Sequence, residues 1–262
     1  MTAESTTGHG TDRDDIRRAW LGEDEAGLSP ARVAKHRLSE QIRRLIDASF
    51  QLDVGDSGYP ESTAQSLADS FSERTAHSTG DPALADDIAR LSAEAEDLAD
   101  RLSALPRIPR ETSAEGLNAS QARRLDALLC ERSTINGRAN PLAPPVRMWA
   151  DGDLVRAEAY FTAPYEGPPG RVHGAWVAAC FDEILGCAQG ASGAFGFTGT
   201  LTVTMRRATP LYTKITYEAG FSHRDGRKLH GWGRCYADGV LTAEAAGIFV
   251  VPLFEPRGPA DG

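Results

Sequence analysis

The chain has 262 residues, a hydrophobic fraction of 41% and a formal net charge of −9. This length accommodates one large domain or a small domain with an appendage, and the hydrophobic fraction is ordinary for a soluble globular protein. The acidic charge argues against general binding to nucleic acid, so an anionic ligand would need a local basic patch.

Several classes of protein are excluded by what the sequence lacks. No stretch approaches the about 20 apolar residues of a membrane-spanning helix, and the polar N-terminus lacks the apolar core of a signal peptide, so we expect a cytoplasmic protein. The six histidines lack metal-ligand spacing, which predicts no metal site. No C-x-x-C pair occurs, and three of the four cysteines lie in apolar stretches, so we expect reduced core thiols at Cys130, Cys180, Cys187 and Cys235.

The chain begins with a predicted disordered tail over residues 1–12, followed by an α-helical region over residues 13–118. Ser29-Pro30 marks a helix start, and a shorter helix is predicted over 63–76. On the first helix, one face carries the apolar residues Leu38, Ile42, Leu45, Ile46 and Phe50. The opposite face carries the charged residues Arg43, Arg44 and Asp47, a pattern typical of an amphipathic helix.

A second long helix is predicted between Asp81-Pro82 and Pro106, which mark its start and stop. Its apolar residues recur at spacings of four and three through three heptads: Leu84, Ile88, Leu91, Ala95, Leu98, Leu102 and Leu105. This seam predicts packing against another helix. We expect an antiparallel hairpin with the first helix, with a contact between subunits as the alternative, and a scaffolding role without chemistry.

A linker is predicted over residues 106–118, and the domain boundary falls between residues 106 and 130. A short helix is expected over 121–131, and residues 136–145 read as extended because two consecutive prolines exclude a helix. The remaining part, residues 119–262, is expected to form one domain.

The centre of that domain is the stretch from residue 166 to residue 189. A Pro/Gly loop leads into His173-Gly174, and an apolar run of helical length follows, interrupted by Asp182 and Glu183. A period of two predicts a strand near 147–161, and four further strands are predicted over 198–208, 212–221, 228–237 and 240–251. Short turns containing Asp-Gly join the later strands, so neighbours are antiparallel. The pattern predicts an α+β domain with five or six strands around one helix.

Three features of this domain carry a resemblance to a known family. The loop G-P-P-G-R-V-H-G, an Asp nine residues after its His, and the strand T-G-T-L-T-V together resemble the hotdog-fold acyl-CoA thioesterases. The closest likeness is to the phenylacetate-pathway (PaaI-like) branch and the mammalian thioesterase superfamily members, over about residues 130–252. The resemblance implies a hotdog fold, an antiparallel sheet wrapped around one helix, here with an N-terminal α-helical extension.

The resemblance also implies roles for individual residues. Gly174 would polarise the thioester carbonyl through its backbone N–H, and Asp182 would be the catalytic carboxylate, as general base or nucleophile. Thr198 would supply an assisting hydroxyl, and His173 would orient the loop and the substrate. The active site would lie at a homodimer interface, with Gly174 and Asp182 from different subunits. Ala175 departs from the family pattern, because many members have a second glycine there.

Elementary chemistry supports part of this assignment. A free N–H at a helix start donates to oxyanions, and such a donor contributes about 10²–10³ in rate. A carboxylate within an apolar helix is costly unless it is paired. Alternative interpretations are a solvated helix face for Asp182 and Glu183, a structural histidine at His173, and simple β-propensity for Thr198.

Cations are needed wherever coenzyme A is bound, because it carries phosphates. Arg206 and Arg207 end one predicted strand, and Arg227 and Lys228 lie at a later hairpin, where solubility is the alternative explanation. Trp176 would line an acyl channel or belong to the core.

Three functions are compatible with these residues. The leading hypothesis is an acyl-CoA thioester hydrolase that needs no cofactor and assembles as a homodimer or tetramer. Hydration or dehydration of an acyl thioester would use the same fold, but the required pairs of acidic residue and histidine are not found. A non-catalytic module that binds acyl-CoA as a sensor or assembly protein is the third hypothesis.

Overall fold

The computed structural model describes residues 29–50, 82–106 and 131–252. The chain forms two compact units, one from residues 1–50 with 114–262 and the other from residues 51–113. The predicted tail over 1–12, the helix over 63–76 and nearly all of the linker and the 121–131 helix lie outside the described residues. The predicted division at residues 118 and 119 stays a prediction.

Helix α1 (Pro30–Phe50) belongs to the larger unit and starts as predicted, with the Arg32 N–H donating to Ser29 Oγ at 3.3 Å. The prediction that Arg43 lies on the charged face of α1, opposite its apolar residues, was wrong. The Arg43 side chain is only 13% exposed, whereas Leu45 is 59% exposed. The physical reason is that the Arg43 guanidinium donates hydrogen bonds to backbone carbonyls in the part of this unit that contains the sheet. These hydrogen bonds offset the free-energy cost of burying the charge.

Helix α2 (Pro82–Ser103) belongs to the smaller unit. It ends three residues before Pro106, as the stop signal predicted. Its apolar seam is largely accessible, with Leu91 61% exposed. The antiparallel hairpin with α1 stays a prediction.

The larger unit contains an antiparallel sheet and one central helix, α3 (Gly174–Ala188). Six strands are present in the described residues: β1 (Val146–Asp151), β2 (Leu154–Tyr160), β3 (Phe197–Met205), β4 (Lys214–Asp225), β5 (Lys228–Ala237) and β6 (Val240–Val250). Their order is β1-β2-β4-β5-β6-β3, so β3 forms one edge of the sheet. The predicted α+β architecture is confirmed.

One predicted strand proved to be two. The segment near 147–161 forms the β1–β2 hairpin, which turns at Gly152 with a φ of +60°. A positive φ favours glycine, so the Gly152-Asp153 pair is the turn signal that was missed.

The core lies between α3 and one face of the sheet. The Phe181 ring meets the Tyr217 ring edge-on, with centroids 5.3 Å apart. On β5, a Cβ added at Gly233 would lie 2.9 Å from the Phe181 ring, so glycine there lets the helix approach the sheet closely. Cys180, Cys187 and Cys235 are buried, as predicted for core cysteines, whereas Cys130 lies outside the described residues.

None of the helices in the described ranges is long and apolar enough to cross a membrane.

Candidate active site

His173 caps the start of α3. Its backbone is extended (φ −60°, ψ 132°), and its Nδ1 accepts a hydrogen bond of 3.0 Å from the Ala175 N–H. Because Nδ1 is the acceptor, the neutral imidazole carries its proton on Nε2. The His173 carbonyl also accepts from the Trp176 N–H at 3.0 Å. The side chain therefore has a structural role, and an additional role towards substrate stays a prediction.

Gly174 is the first residue of α3 and is exposed. Within the described part of the chain, no hydrogen bond uses its N–H, whereas the next two N–H groups are both engaged by His173. The Met205 methyl, at the end of β3, lies 3.5 Å from where a Gly174 Cβ would be. A single accessible donor thus points out of a helix N-terminus, where the helix dipole strengthens it.

The loop before α3 is held by hydrogen bonds at both ends. The His173 N–H donates to the Tyr165 carbonyl at 2.8 Å, and the Val172 N–H donates to the Thr209 carbonyl at 2.9 Å. Gly170 has a φ of +71°, and its N–H donates to Glu166 Oε1 at 2.5 Å. The Pro/Gly sequence therefore forms a fixed loop that determines where α3 begins.

Asp182 lies two turns into α3 and is half-buried. Its Oδ1 accepts a hydrogen bond of 2.8 Å from Thr198 Oγ1, which lies near the start of the edge strand β3. The structure therefore brings together two residues that the sequence singled out separately. It also supplies the pairing that a carboxylate within an apolar helix needs.

Glu183 has a partner that the sequence did not reveal. Its Oε1 accepts from Ser133 Oγ at 2.9 Å, and Ser133 Oγ in turn accepts from the Ile135 N–H at 3.1 Å. Burial raises the pKa of Glu183, the Ser133 hydrogen bond lowers it, and the neighbouring Asp182 charge raises it further. Fifty residues separate the partners, and a lone serine in a turn-rich segment gives no signal of this contact.

Gly174 and Asp182 lie on the same helix but are too far apart to contact the same group of a substrate. They are eight residues apart, which corresponds to about 12 Å of rise along an α-helix. A single thioester carbonyl cannot lie within hydrogen-bonding distance of the Gly174 N–H and also within reach of water on Asp182 of the same chain. The chain thus carries two separate pairs of candidate residues, His173 with Gly174 and Thr198 with Asp182, which we call candidate half-sites.

The four predicted phosphate contacts fall into two separate pairs. Arg206 forms a 2.8 Å salt bridge with Glu244, and Arg207 beside it is exposed. Arg227 Nε donates to the Val251 carbonyl at 2.8 Å, and Lys228 beside it is exposed.

The two pairs lie at opposite ends of the sheet. On β6, Val250 pairs with both Lys228 and Phe197, whereas Ala243 pairs with Met205, next to Arg206. Seven residues of strand separate those positions, which is about 23 Å. One chain alone does not assemble these cations into one patch.

Trp176 is half-buried in the first turn of α3, and its ring meets the Tyr165 ring edge-on at 5.1 Å. This contact accounts for its burial, and its predicted role in an acyl channel stays a prediction. Among the described residues, no group of three His, Cys, Asp or Glu side chains is arranged to hold a metal ion.

No protein-family model and no curated protein matches the chain. Among solved structures it is similar to a thioesterase superfamily protein, with 25% identity over 86% of this chain and 96% of that one and a TM-score of 0.61. A hypothetical thioesterase protein from Streptococcus pneumoniae, solved with coenzyme A, matches at 17% identity over 40% of this chain and 87% of that one, with a TM-score of 0.38. Thioesterase superfamily member 2 from Mus musculus matches at 14% identity over 41% of this chain and 88% of that one, with a TM-score of 0.38. The antiparallel sheet around α3, extended by an N-terminal helix, is therefore the hotdog fold, and the chain is similar to thioesterase superfamily proteins.

Proposed function

We propose that the protein is an acyl-CoA thioester hydrolase that releases a free acid and coenzyme A, and that it works in the cytoplasm. The observation that carries the proposal is the 2.8 Å hydrogen bond from Thr198 to Asp182, which holds a carboxylate beside β3, the edge strand of the sheet in the described part of the chain. The thioesterase superfamily neighbours support a thioesterase-type function for this hotdog fold.

The proposed reaction needs a base and an oxyanion donor. The Asp182 carboxylate takes a proton from water as the water oxygen bonds to the thioester carbonyl carbon, or it attacks that carbon itself. The Gly174 N–H donates to the oxygen that becomes negative. In the first route the carbon–sulfur bond then breaks, and the proton passes from Asp182 to the departing thiolate of coenzyme A. In the second route the same bond breaks to leave an anhydride between Asp182 and the acyl group, and water hydrolyses this anhydride to the free acid and the Asp182 carboxylate while the released proton goes to the thiolate.

A second copy of the chain completes the site in this proposal. Within the described residues, strand β3 is an edge of the sheet, and it carries exposed apolar side chains at both ends, with Phe197 75% exposed and Met205 47% exposed. An edge strand of this kind pairs readily with another strand. Antiparallel pairing of two β3 strands about Leu201 would place the Met205 end, with Gly174, beside the Thr198 end of the partner subunit, with its Asp182.

The same pairing would join the two cationic pairs. Arg206 and Arg207 follow the end of β3. Lys228 lies on β5, which is two strands away from β3 in the sheet, at the level where β3 starts. An antiparallel β3–β3 contact would bring the first pair of one subunit towards the second pair of the other. We propose that the combined patch holds the phosphates of coenzyme A, because guanidinium groups match phosphate geometry.

Thiol release from a panel of acyl-CoAs tests this function. The panel runs from acetyl to palmitoyl and includes phenylacetyl and benzoyl, and each compound is also tested for its effect on the melting temperature. Turnover of some members supports the hydrolase and defines its substrate class. Absence of turnover, with acyl-CoA still raising the melting temperature, would replace this proposal with the non-catalytic binding module.

A further inference from the structure

Helix α1 lies against the part of the fold that leads into the candidate active site. It shares a compact unit with the sheet and packs on the short 3₁₀ helix Ala163–Tyr165. That helix directly precedes the Pro/Gly loop and His173. The N-terminal extension is therefore placed to influence where the loop sits.

Arg43 is the polar anchor of α1. Its Nε donates to the Ala143 carbonyl at 3.0 Å, its Nη2 donates to the Asn140 carbonyl at 3.3 Å, and its Nη1 donates to Glu40 at 2.5 Å. The planar guanidinium uses three directions at once, which a lysine ammonium on a flexible stem does not reproduce. The anchor thus fixes both the position and the rotation of α1 on the domain.

Tyr165 connects α1 to the start of α3. It belongs to the 3₁₀ helix that packs on α1, and burial raises the pKa of its hydroxyl to about 12. Its carbonyl accepts the His173 N–H at 2.8 Å, and its ring contacts Trp176. Tyr165 therefore touches the residues on both sides of the exposed Gly174 N–H.

A second connection runs through the segment between residues 131 and 145. His36 of α1 lies 2.6 Å from Glu131 at one end of this segment, and Arg43 binds the other end. Between them, Ser133 donates to Glu183, the neighbour of Asp182. The same helix is thus linked to both candidate half-sites.

We propose that α1 is a positioning element of the active site and that Arg43 is its key positioning residue. The proposal rests on the proposed thioester hydrolase function and adds a role for the N-terminal extension. Arg43 holds α1 on Tyr165, and Tyr165 sets the alignment of the Gly174 N–H with the developing oxyanion. Alignment of this kind matters because a displacement of about 1 Å can cost about 10²-fold in rate.

The test compares Arg43→Gln with Arg44→Gln, a matched change on the same helix where the native arginine is exposed and bonds to Gln41. Loss of the anchor is expected to lower kcat by about tenfold and to change KM little, because the oxyanion donor acts in the transition state. Amide hydrogen exchange at His173, followed in the full chain, is expected to accelerate about tenfold because its bond to Tyr165 opens more often. Arg44→Gln is expected to leave all three quantities unchanged.

Arg43→Lys is the second variant, and it carries the same test if Arg43→Gln does not fold. It keeps the positive charge but replaces the planar guanidinium with an ammonium group. We therefore expect a kcat and a His173 amide exchange rate between those of wild type and Arg43→Gln. Unchanged exchange at His173, or a lower melting temperature with wild-type kcat, would overturn the proposal. If the wild type hydrolyses no acyl-CoA, the hydrolase function fails, and the exchange result alone then decides whether α1 holds the loop.

Discussion

Thr198 Oγ1 donates to Asp182 Oδ1 at 2.8 Å, which joins the edge strand β3 to the central helix α3. A hydrogen bond to a carboxylate is stronger than one between neutral groups and restricts the carboxylate to one orientation. The oriented carboxylate lies beside β3, the edge strand of the sheet that the described residues form, where a second subunit would bring the oxyanion donor.

Removing the Thr198 hydroxyl is expected to reduce catalysis. Thr198→Val keeps the size and the β-branch but leaves Asp182 without its donor. We expect kcat to fall about tenfold or more, because a hydrogen bond to a charged group contributes about 1.5–3 kcal/mol. Thr202→Val, an exposed position on the same strand, is the control in the thiol-release assay. Equal rates for the two variants would assign Thr198 to strand stability alone.

Removing the Gly174 N–H tests the oxyanion donor. Gly174→Pro deletes the donor but suits the first position of a helix, and His173 already has the extended backbone that precedes a proline. We expect kcat to fall by about 10²–10³. Gly174→Ala is the control, because it keeps the N–H and its methyl group would meet the Met205 Cε at an ordinary 3.5 Å. Full activity in the proline variant would show that this N–H does not participate.

A dimer that combines a Gly174 variant chain with an Asp182 variant chain tests whether each active site is formed by two subunits. If Gly174 and Asp182 act from different subunits, a heterodimer of Gly174→Pro with Asp182→Asn has one site with both defects and one intact site. Co-expressed with two different tags and purified through both, it should recover about half the wild-type turnover per dimer. A site contained within one chain would give no recovery.

The raised pKa of Glu183 predicts a pH-dependent effect on stability. A carboxyl whose pKa is higher in the folded state than its usual 4.5 binds a proton more tightly there, so stability falls as pH rises through the raised pKa. Glu183→Gln removes this penalty and retains the oxygen that accepts from Ser133. We therefore expect a higher melting temperature than wild type at pH 7 and a difference that shrinks towards pH 4.5.

Glu94→Gln, an exposed position on α2, is the control for that comparison. A melting-temperature difference between Glu183→Gln and wild type that did not change with pH would contradict the assignment.

The sequence predicted the features that depend on local signals. The strands on both sides of the Asp238-Gly239 turn follow from turn chemistry and alternation. The start of α3 at Gly174 follows from the Pro/Gly loop. The resemblance singled out Asp182 and Thr198 separately, and the hydrogen bond between them follows from the position of β3 beside α3 in the tertiary fold.

The features that were missed depend on distant partners. Periodicity assigns charged residues to the solvent face, so it could not place Arg43 against the Ala143 carbonyl one hundred residues away. Ser133 and Glu183 likewise meet only through the tertiary fold. Both contacts belong to the proposed connection between α1 and the candidate active site, which is where the sequence was least informative.

The hydrolysis of acyl-CoA by wild type, Asp182→Asn and Asp97→Asn is the most direct test of the central claim. Asp97 is an exposed carboxylate on α2 that pairs with Arg101 at 3.2 Å, so its variant controls for the loss of one charge. We expect Asp182→Asn to lose at least about 10²-fold in kcat, while acyl-CoA still raises its melting temperature and Asp97→Asn behaves as wild type. Undiminished turnover in Asp182→Asn would contradict the assignment of Asp182 as the catalytic carboxylate.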